Sequence, residues 1–571
     1  MDTHSSRPWP LPDSPVADFP TVPQRVSWPR SSKSSRDSEG AQYRDEFRRL
    51  YDSTSEDVYR SPIPMPEIEI EIATPGPTHS SSHVEEAPVS EEQSVSQESK
   101  PPEQATEMRI PPDPNLVEWE GVYDPDHPGN WPSWKKTVNI TIILMMCVTH
   151  AFATTALIPA IGRIQEEFGS NDVYLSALVV SAYVLGFTAG PLLVVPLAED
   201  FGRVVMYHFY NILFISFTCW CAKTKNMGML ALARFLAGCG GAVTQCLAAR
   251  SISDLVQGGV GRLLIIFVAL AFYLTPAISP FVGSRIYFNW GWPWIFWVTA
   301  MMGGFCTLIG VALSETHEPI LLRRKASIRI QRTHNLRLYT SYDLGEHPGQ
   351  IVSTRFKRSF LQPLRILLSP SFFLTSFIPA AGYAILYMVY ITLPQAFLSV
   401  YIWPSKNLGL AYFGVAVGII IAIATGAATS EKHATLRARK NDSRAENRLV
   451  SLLCLWPFTG LGLCLYGYFL HQKMHWAGPV VSLGFVGAGV MFAIQLNGFY
   501  LIDAFPTRFI SATNASILLQ SLLGGALPLF SYKLYDYAGP PDIFYLLGGI
   551  ALFLTIVLGV FFSLRRGERQ A

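Results

Sequence analysis

The sequence predicts an all-α integral membrane protein with twelve transmembrane helices in two six-helix bundles, and three observations predict it. Half of the 571 residues are hydrophobic and 15% are charged, with polar residues crowded into the first 117, which is a membrane composition. Apolar runs of about 20 residues, enough to cross roughly 30 Å of hydrocarbon, recur from Thr137 onward. A long basic stretch divides these runs six and six.

Residues 1–117 are rich in Ser, Pro, Glu and Gln and too poor in apolar residues to form a core, so they read as a disordered cytoplasmic tail. Its one alternating patch is PEIEIEIATP, Pro66 to Pro75. No positively charged region followed by an apolar core opens the chain, so delivery to the membrane is expected to rest on the first span. Residues 118–136 form a segment before that span. Spans one to six are expected near 138–160, 174–198, 204–222, 227–249, 263–287 and 294–314, within an N-terminal bundle of residues 137–314. A basic cytoplasmic loop, 315–369, follows. Spans seven to twelve are expected near 371–399, 408–428, 449–470, 477–502, 510–532 and 543–564, in a C-terminal bundle of residues 370–565, with 566–571 as a cytoplasmic tail.

Charge sets the orientation. With the amino terminus inside, cytoplasmic connections carry roughly 23 Lys and Arg against roughly 7 outside, which places both termini in the cytoplasm. The clusters Arg323–Arg365 and Lys432–Arg448 therefore read as orientation signals, and with a net charge of +2 no nucleic-acid partner is expected. Trp131, Trp134, Trp292, Trp294, Trp403 and Trp476 fall at span ends, as an interfacial belt would. The eight cysteines lie in apolar runs without metal or disulfide spacing, the histidines are scattered, and no phosphate-binding G-x-x-x-x-G-K-[ST] loop occurs. No metal, cofactor or enzymatic constellation is expected.

The costliest residue is Arg234, inside the apolar run of span four, because a central arginine costs roughly 2.5–3.5 kcal/mol on insertion scales. Helical spacing puts Arg234, Gly238, Gly241 and Gln245 on one polar, backbone-thin stripe. His150 lies mid-span in span one, with Thr154 a turn on; imidazole, whose ordinary pKa is about 6.5, can carry a proton at cellular pH or simply pack. Tyr383, Tyr387 and Tyr390 share a face of span seven, and Gln495, Asn497 and Tyr500 add polar groups to span ten; each set serves either substrate contact or helix packing. Asp254 closes span four and Arg262 opens span five, while Asp503 closes span ten and Arg508 opens span eleven. The repeated acidic-then-basic pattern fits parallel repeats related by an axis along the membrane normal.

Several motifs resemble the major facilitator superfamily, in particular its fungal twelve-helix drug:proton antiporter group. They are DPDHPGNWPSWKK before span one, PLAEDFGRVV between spans two and three, ARFLAGCGGA in span four, and GYAILYMVYITLP, AENRL, MHWAGP, YLIDAF and GGALPLF in the second half. The resemblance covers nearly everything after Glu120. It implies a cytoplasmic gate in which Glu199, Gly202 and Arg203 form the signature loop and Arg203 pairs with Asp254. Val204 stands where the family carries a second basic residue. The resemblance also implies that Arg234 is a cavity residue in proton coupling. In TPAISPFVGS the helix-five motif keeps Pro276, Pro280 and Gly283, with Thr, Ala and Ser at the other expected glycines.

The expected function is proton-coupled export of a small organic compound, a drug, toxin or secondary metabolite, by alternating access. The protein is expected as a monomer in the plasma membrane or, alternatively, the vacuolar membrane. Uptake or facilitated passage of a polyamine, amino acid or vitamin is the alternative within transport. A membrane sensor signalling through its tail is the alternative of another class, separable by deleting Met1 to Leu116.

Overall fold

The structure is a computed structural model that describes residues 113–568 apart from Val122, Asn171, Gln257, 345–351, 441–446 and 506–507. The tail through residue 112, the side chains of Arg262 and of the Lys432–Arg448 cluster, and the 566–571 tail's side chains lie outside the described residues.

Among the described residues twelve helices are long and apolar enough to cross a membrane: Ser133–Glu167, Tyr174–Phe201, Arg203–Cys221, Met227–Leu255, Leu263–Trp290, Pro293–Gly310, Phe372–Val400, Asn407–Gly426, Ser451–His471, Ala477–Ala504, Ser511–Phe530 and Pro541–Val560. They are spans one to twelve. Span one is not continuous. Its helix stops at Thr155, and the chain passes through a 3-10 turn, Ile158–Ala160, into Ile161–Glu167. Pro159 explains the break, because it has no N–H to give the carbonyl of Thr155 and its ring clashes with the preceding turn. The last carbonyls of the first segment are thereby left without helical partners.

The two halves pack alike. Span two lies on span four, one on five, three on six and three on four; in the second half eight lies on ten, seven on eleven, nine on twelve and nine on ten. Adding six to each number in the first set gives the second, as duplicated parallel repeats require. The halves meet where span two touches span eleven and span five touches span eight.

On one side of the bundle, here the loop side, residues before span one fold back onto residues after span six. Leu116–Val117 (β1) pairs in parallel with Tyr339–Thr340 (β2). Residues 113–117, inside the stretch the sequence assigns to the tail, are thus part of this fold. The basic loop is also not irregular: Glu318–Thr333 is a helix that buries Leu322 and Ala326, four residues apart on one face. Trp119 Nε1 donates to Glu318 at 2.7 Å, and Lys325 Nζ lies 2.7 Å from the buried Asp124 carboxylate. Burial pulls the Asp124 pKa up, but Lys325 and the Glu120 and Asp126 amides outweigh it and hold the carboxyl below its ordinary range. Trp131 and Trp292 are buried rather than interfacial, and Trp292 donates to Glu167 at 2.8 Å.

Candidate functional site: the seam between the halves

Arg234 is 2% exposed and meets no carboxylate in any described ion pair. Its Nη1 donates to the Ala153 carbonyl at 2.6 Å, Nη2 to Thr154 at 3.0 Å and Nε to Val179 at 3.2 Å. The first two acceptors are the carbonyls orphaned by the break at Pro159. A guanidinium fork suits them, being planar and rich in donors, and a cation also suits the negative end of a helix. The guanidinium carbon sits 4.5 Å from the Tyr183 ring centroid, and a void of about 10 Å³ lined by Arg234, Thr218, Cys221 and Thr299 lies beside it.

The glycines on the Arg234 stripe serve contact, not an open wall. A Cβ on Gly238 would stand 2.1 Å from the Tyr183 carbonyl oxygen, and one on Gly241 2.6 Å from the Tyr183 hydroxyl. They bring span four against span two. Gln245 ends the stripe with both amide atoms buried and unpartnered among the described residues.

Span five is tied to the break in span one by the residues its motif keeps. Pro280 cannot donate to the carbonyl of Pro276. Thr155 fills that place, its hydroxyl donating to Pro276 O at 2.7 Å and lying 2.6 Å from Ser279 Oγ. Gly283 packs on the Ala156 carbonyl, where a Cβ would come within 2.0 Å.

Tyr383, Tyr387 and Tyr390 are fully buried where the halves meet. The Tyr383 hydroxyl donates to that of Tyr387 at 3.3 Å, and beside Tyr387 lies Thr154 of span one, whose hydroxyl donates to the Ala151 carbonyl at 2.6 Å. Tyr387 is also within electrostatic reach of Arg234. Tyr273 of span five stands edge-on to Tyr383 at 6.1 Å and donates to Gln520 of span eleven at 3.4 Å. Gln520 and Asn497 both donate to Ser516 Oγ, at 3.2 and 3.1 Å, so a polar chain runs from span ten through span eleven into span five. Gln495 abuts Gly426 of span eight, and Tyr500 packs against the apolar cluster around Phe372 and Leu501. Neither Gln495 nor Tyr500 joins that chain in a described bond.

His150 lies away from this seam, inside the first half. Its Nε2 is 3.1 Å from Asn211 Oδ1 and its Nδ1 is 3.1 Å from Thr244 Oγ1. Asn211 spends its amide hydrogens on Gly303 O and Thr307 Oγ1, so its oxygen faces the imidazole and Nε2 carries a hydrogen. Thr244 Oγ1 lies within reach of both Nδ1 and Gly241 O. In neutral imidazole the threonine donates to Nδ1; in imidazolium Nδ1 donates and the hydroxyl turns to Gly241. Both protonation states fit the same heavy-atom positions.

On the loop side Arg203 Nη1 is 2.6 Å from Asp254 Oδ2 and 3.4 Å from Thr316 Oγ1. Gly202 adopts φ 91°, which favours glycine, and Glu315 closes over it. Glu315 accepts the N–H of Val204 at 3.0 Å and those of Thr316 and His317, capping span three at its positive end. Asp503 is half-buried and Arg508 is exposed in the second half. Glu199 is exposed at the end of span two.

Sequence reasoning missed Thr155, Tyr273, Glu315 and Gln520. Only for Thr155 was a signal present, since Pro280 announces a free carbonyl at Pro276.

The sequence model of the Major Facilitator Superfamily matches residues 143–527, more than half of the chain. The chain belongs to the major facilitator superfamily. This superfamily transporter is 33% identical over 432 residues to the efflux pump radE of Floropilus chiversii, covering 75% of this chain and 80% of that one. It is 32% identical over 444 residues to the MFS-type transporter penM of Penicillium rubens, covering 77% and 86%. Its fold matches that of the xylose transporter XylE from E. coli in a partially occluded inward open conformation, with a TM-score of 0.54 at 13% identity over 75% of this chain and 98% of that one.

Proposed function

We propose that this transporter moves a small organic compound outward across the plasma membrane in exchange for protons, with both termini cytoplasmic. The seam carries the reading. Two matched bundles meet there through phenols and amides, from Tyr273 to Gln520 and around the Tyr383–Tyr387 pair, groups that can re-form hydrogen bonds with a cargo or with water when the bundles part. Alternating access needs such a contact. The Arg203–Asp254 pair with Glu315 is the loop-side latch, and His150 holds the exchanged proton because its pocket accepts either protonation state. The outward direction is supported by the efflux-pump name of a relative at 33% identity.

The driving force suffices: one charge crossing 100 mV is worth about 2.3 kcal/mol and each pH unit about 1.4 kcal/mol. The test uses inverted vesicles with an acidified lumen and a panel of organic compounds. Accumulation that collapses with a protonophore and drops at least about tenfold in His150→Ala supports the reading. Accumulation of none of the panel, or accumulation indifferent to the gradient, contradicts it.

A further inference from the structure

The twelve apolar runs delimited in the sequence contain two residues of the Asp, Glu, Lys and Arg types, Arg285 near the end of span five, which is exposed, and Arg234, which is buried. Its described hydrogen-bond partners are three carbonyls, two of them at a helix end worth about half a negative charge. Roughly half of the guanidinium charge is therefore left without compensation in a medium where charges act at long reach. The seam next to it supplies Tyr387, Tyr383, Tyr273 and Gln520, uncharged donors and acceptors on aromatic or amide frames, and the Thr154 hydroxyl. Nearby spans add buried polar atoms with no described partner, the Tyr390 hydroxyl and the Gln245 amide among them. An organic cation in the seam would face Arg234, and no described hydrogen bond or ion pair of the seam brings a carboxylate to pair with it. The face of Tyr183 that could attract a cation is already taken by Arg234.

We propose that the cargo of this seam is a flat, hydrogen-bonding aromatic molecule that is uncharged or anionic, such as a phenol or an aryl carboxylic acid, and that Arg234 excludes organic cations. The assignment rests on the transport reading, because it takes the seam as the cargo's place.

The test measures binding of 2-naphthol, 2-naphthoate and (2-naphthylmethyl)trimethylammonium to the purified full-length protein in lipid nanodiscs, without a pH gradient. Naphthol and naphthoate are expected to bind at least about tenfold tighter than the ammonium compound. Gln520→Glu, which puts a carboxylate on the span-eleven side, is expected to narrow or reverse that ratio while circular dichroism stays unchanged. Ammonium binding as tight as that of naphthoate, or no binding of any of the three, overturns the cargo class. A Gln520→Glu ratio equal to the native one overturns its placement in the seam. Because no gradient is present, a failed order leaves proton-driven export standing, and a loss of driven flux leaves the binding order standing.

Discussion

Arg234 and Thr155 act on the same weakness, backbone carbonyls freed where proline interrupts a helix. Removing one donor from a buried carbonyl costs about 1–3 kcal/mol. Thr155→Val, which keeps the shape and loses the hydroxyl, is therefore expected to lower the thermal midpoint in detergent, while Thr155→Ser is expected to keep most of it. Equal midpoints for Val and Ser would refute the bond to Pro276. Arg234→Lys keeps the charge but cannot reach three carbonyls with one ammonium, so a similar loss is expected there. His317 supplies a pH test. Burial, with Arg203, Arg250 and Arg323 near, pushes its imidazole from 6.5 down to about 4. The unfolded chain therefore binds a proton that the folded one refuses, and stability is expected to fall as pH drops from 6.5 towards 4, with no further loss from this group below that. In His317→Gln the midpoint measured at pH 7 and pH 5 should differ less than in the native protein.

Glycine contact sets how closely the spans pack. Gly283→Ala would drive a methyl into the Ala156 carbonyl, at 2.0 Å, whereas Gly304→Ala meets nothing within 4 Å. Overpacking costs about 1–3 kcal/mol, so the first variant is expected to be destabilised and the second to match the native midpoint. A tolerated Gly283→Ala would mean that spans one and five stand farther apart. Much of this element level was legible in the sequence. Run length and hydropathy located all twelve spans to within a few residues at most ends, and the family resemblance implied the pairing of Arg203 with Asp254. Hydropathy is blind to the break at Pro159, because the residues on both sides are equally apolar. Arg234 was conspicuous by its cost, yet its partners are backbone carbonyls, which leave no mark in side-chain identity. Glu315 and Gln520 gained their roles only when distant segments met.

At the scale of the whole molecule, twelve spans form two copies of one packing pattern joined by a seam. Leu185 of span two and Gly525 of span eleven face each other across it, so close that a Cβ on Gly525 would lie 2.4 Å from the leucine Cγ. Alternating access requires that they separate in every cycle. The direct measurement is flux with that contact locked: Leu185→Cys and Gly525→Cys in a background whose eight native cysteines are replaced, oxidised to a disulfide and assayed in vesicles before and after reduction. The account predicts that the oxidised protein carries no flux and that reduction restores it. Full flux through the cross-linked protein would contradict it.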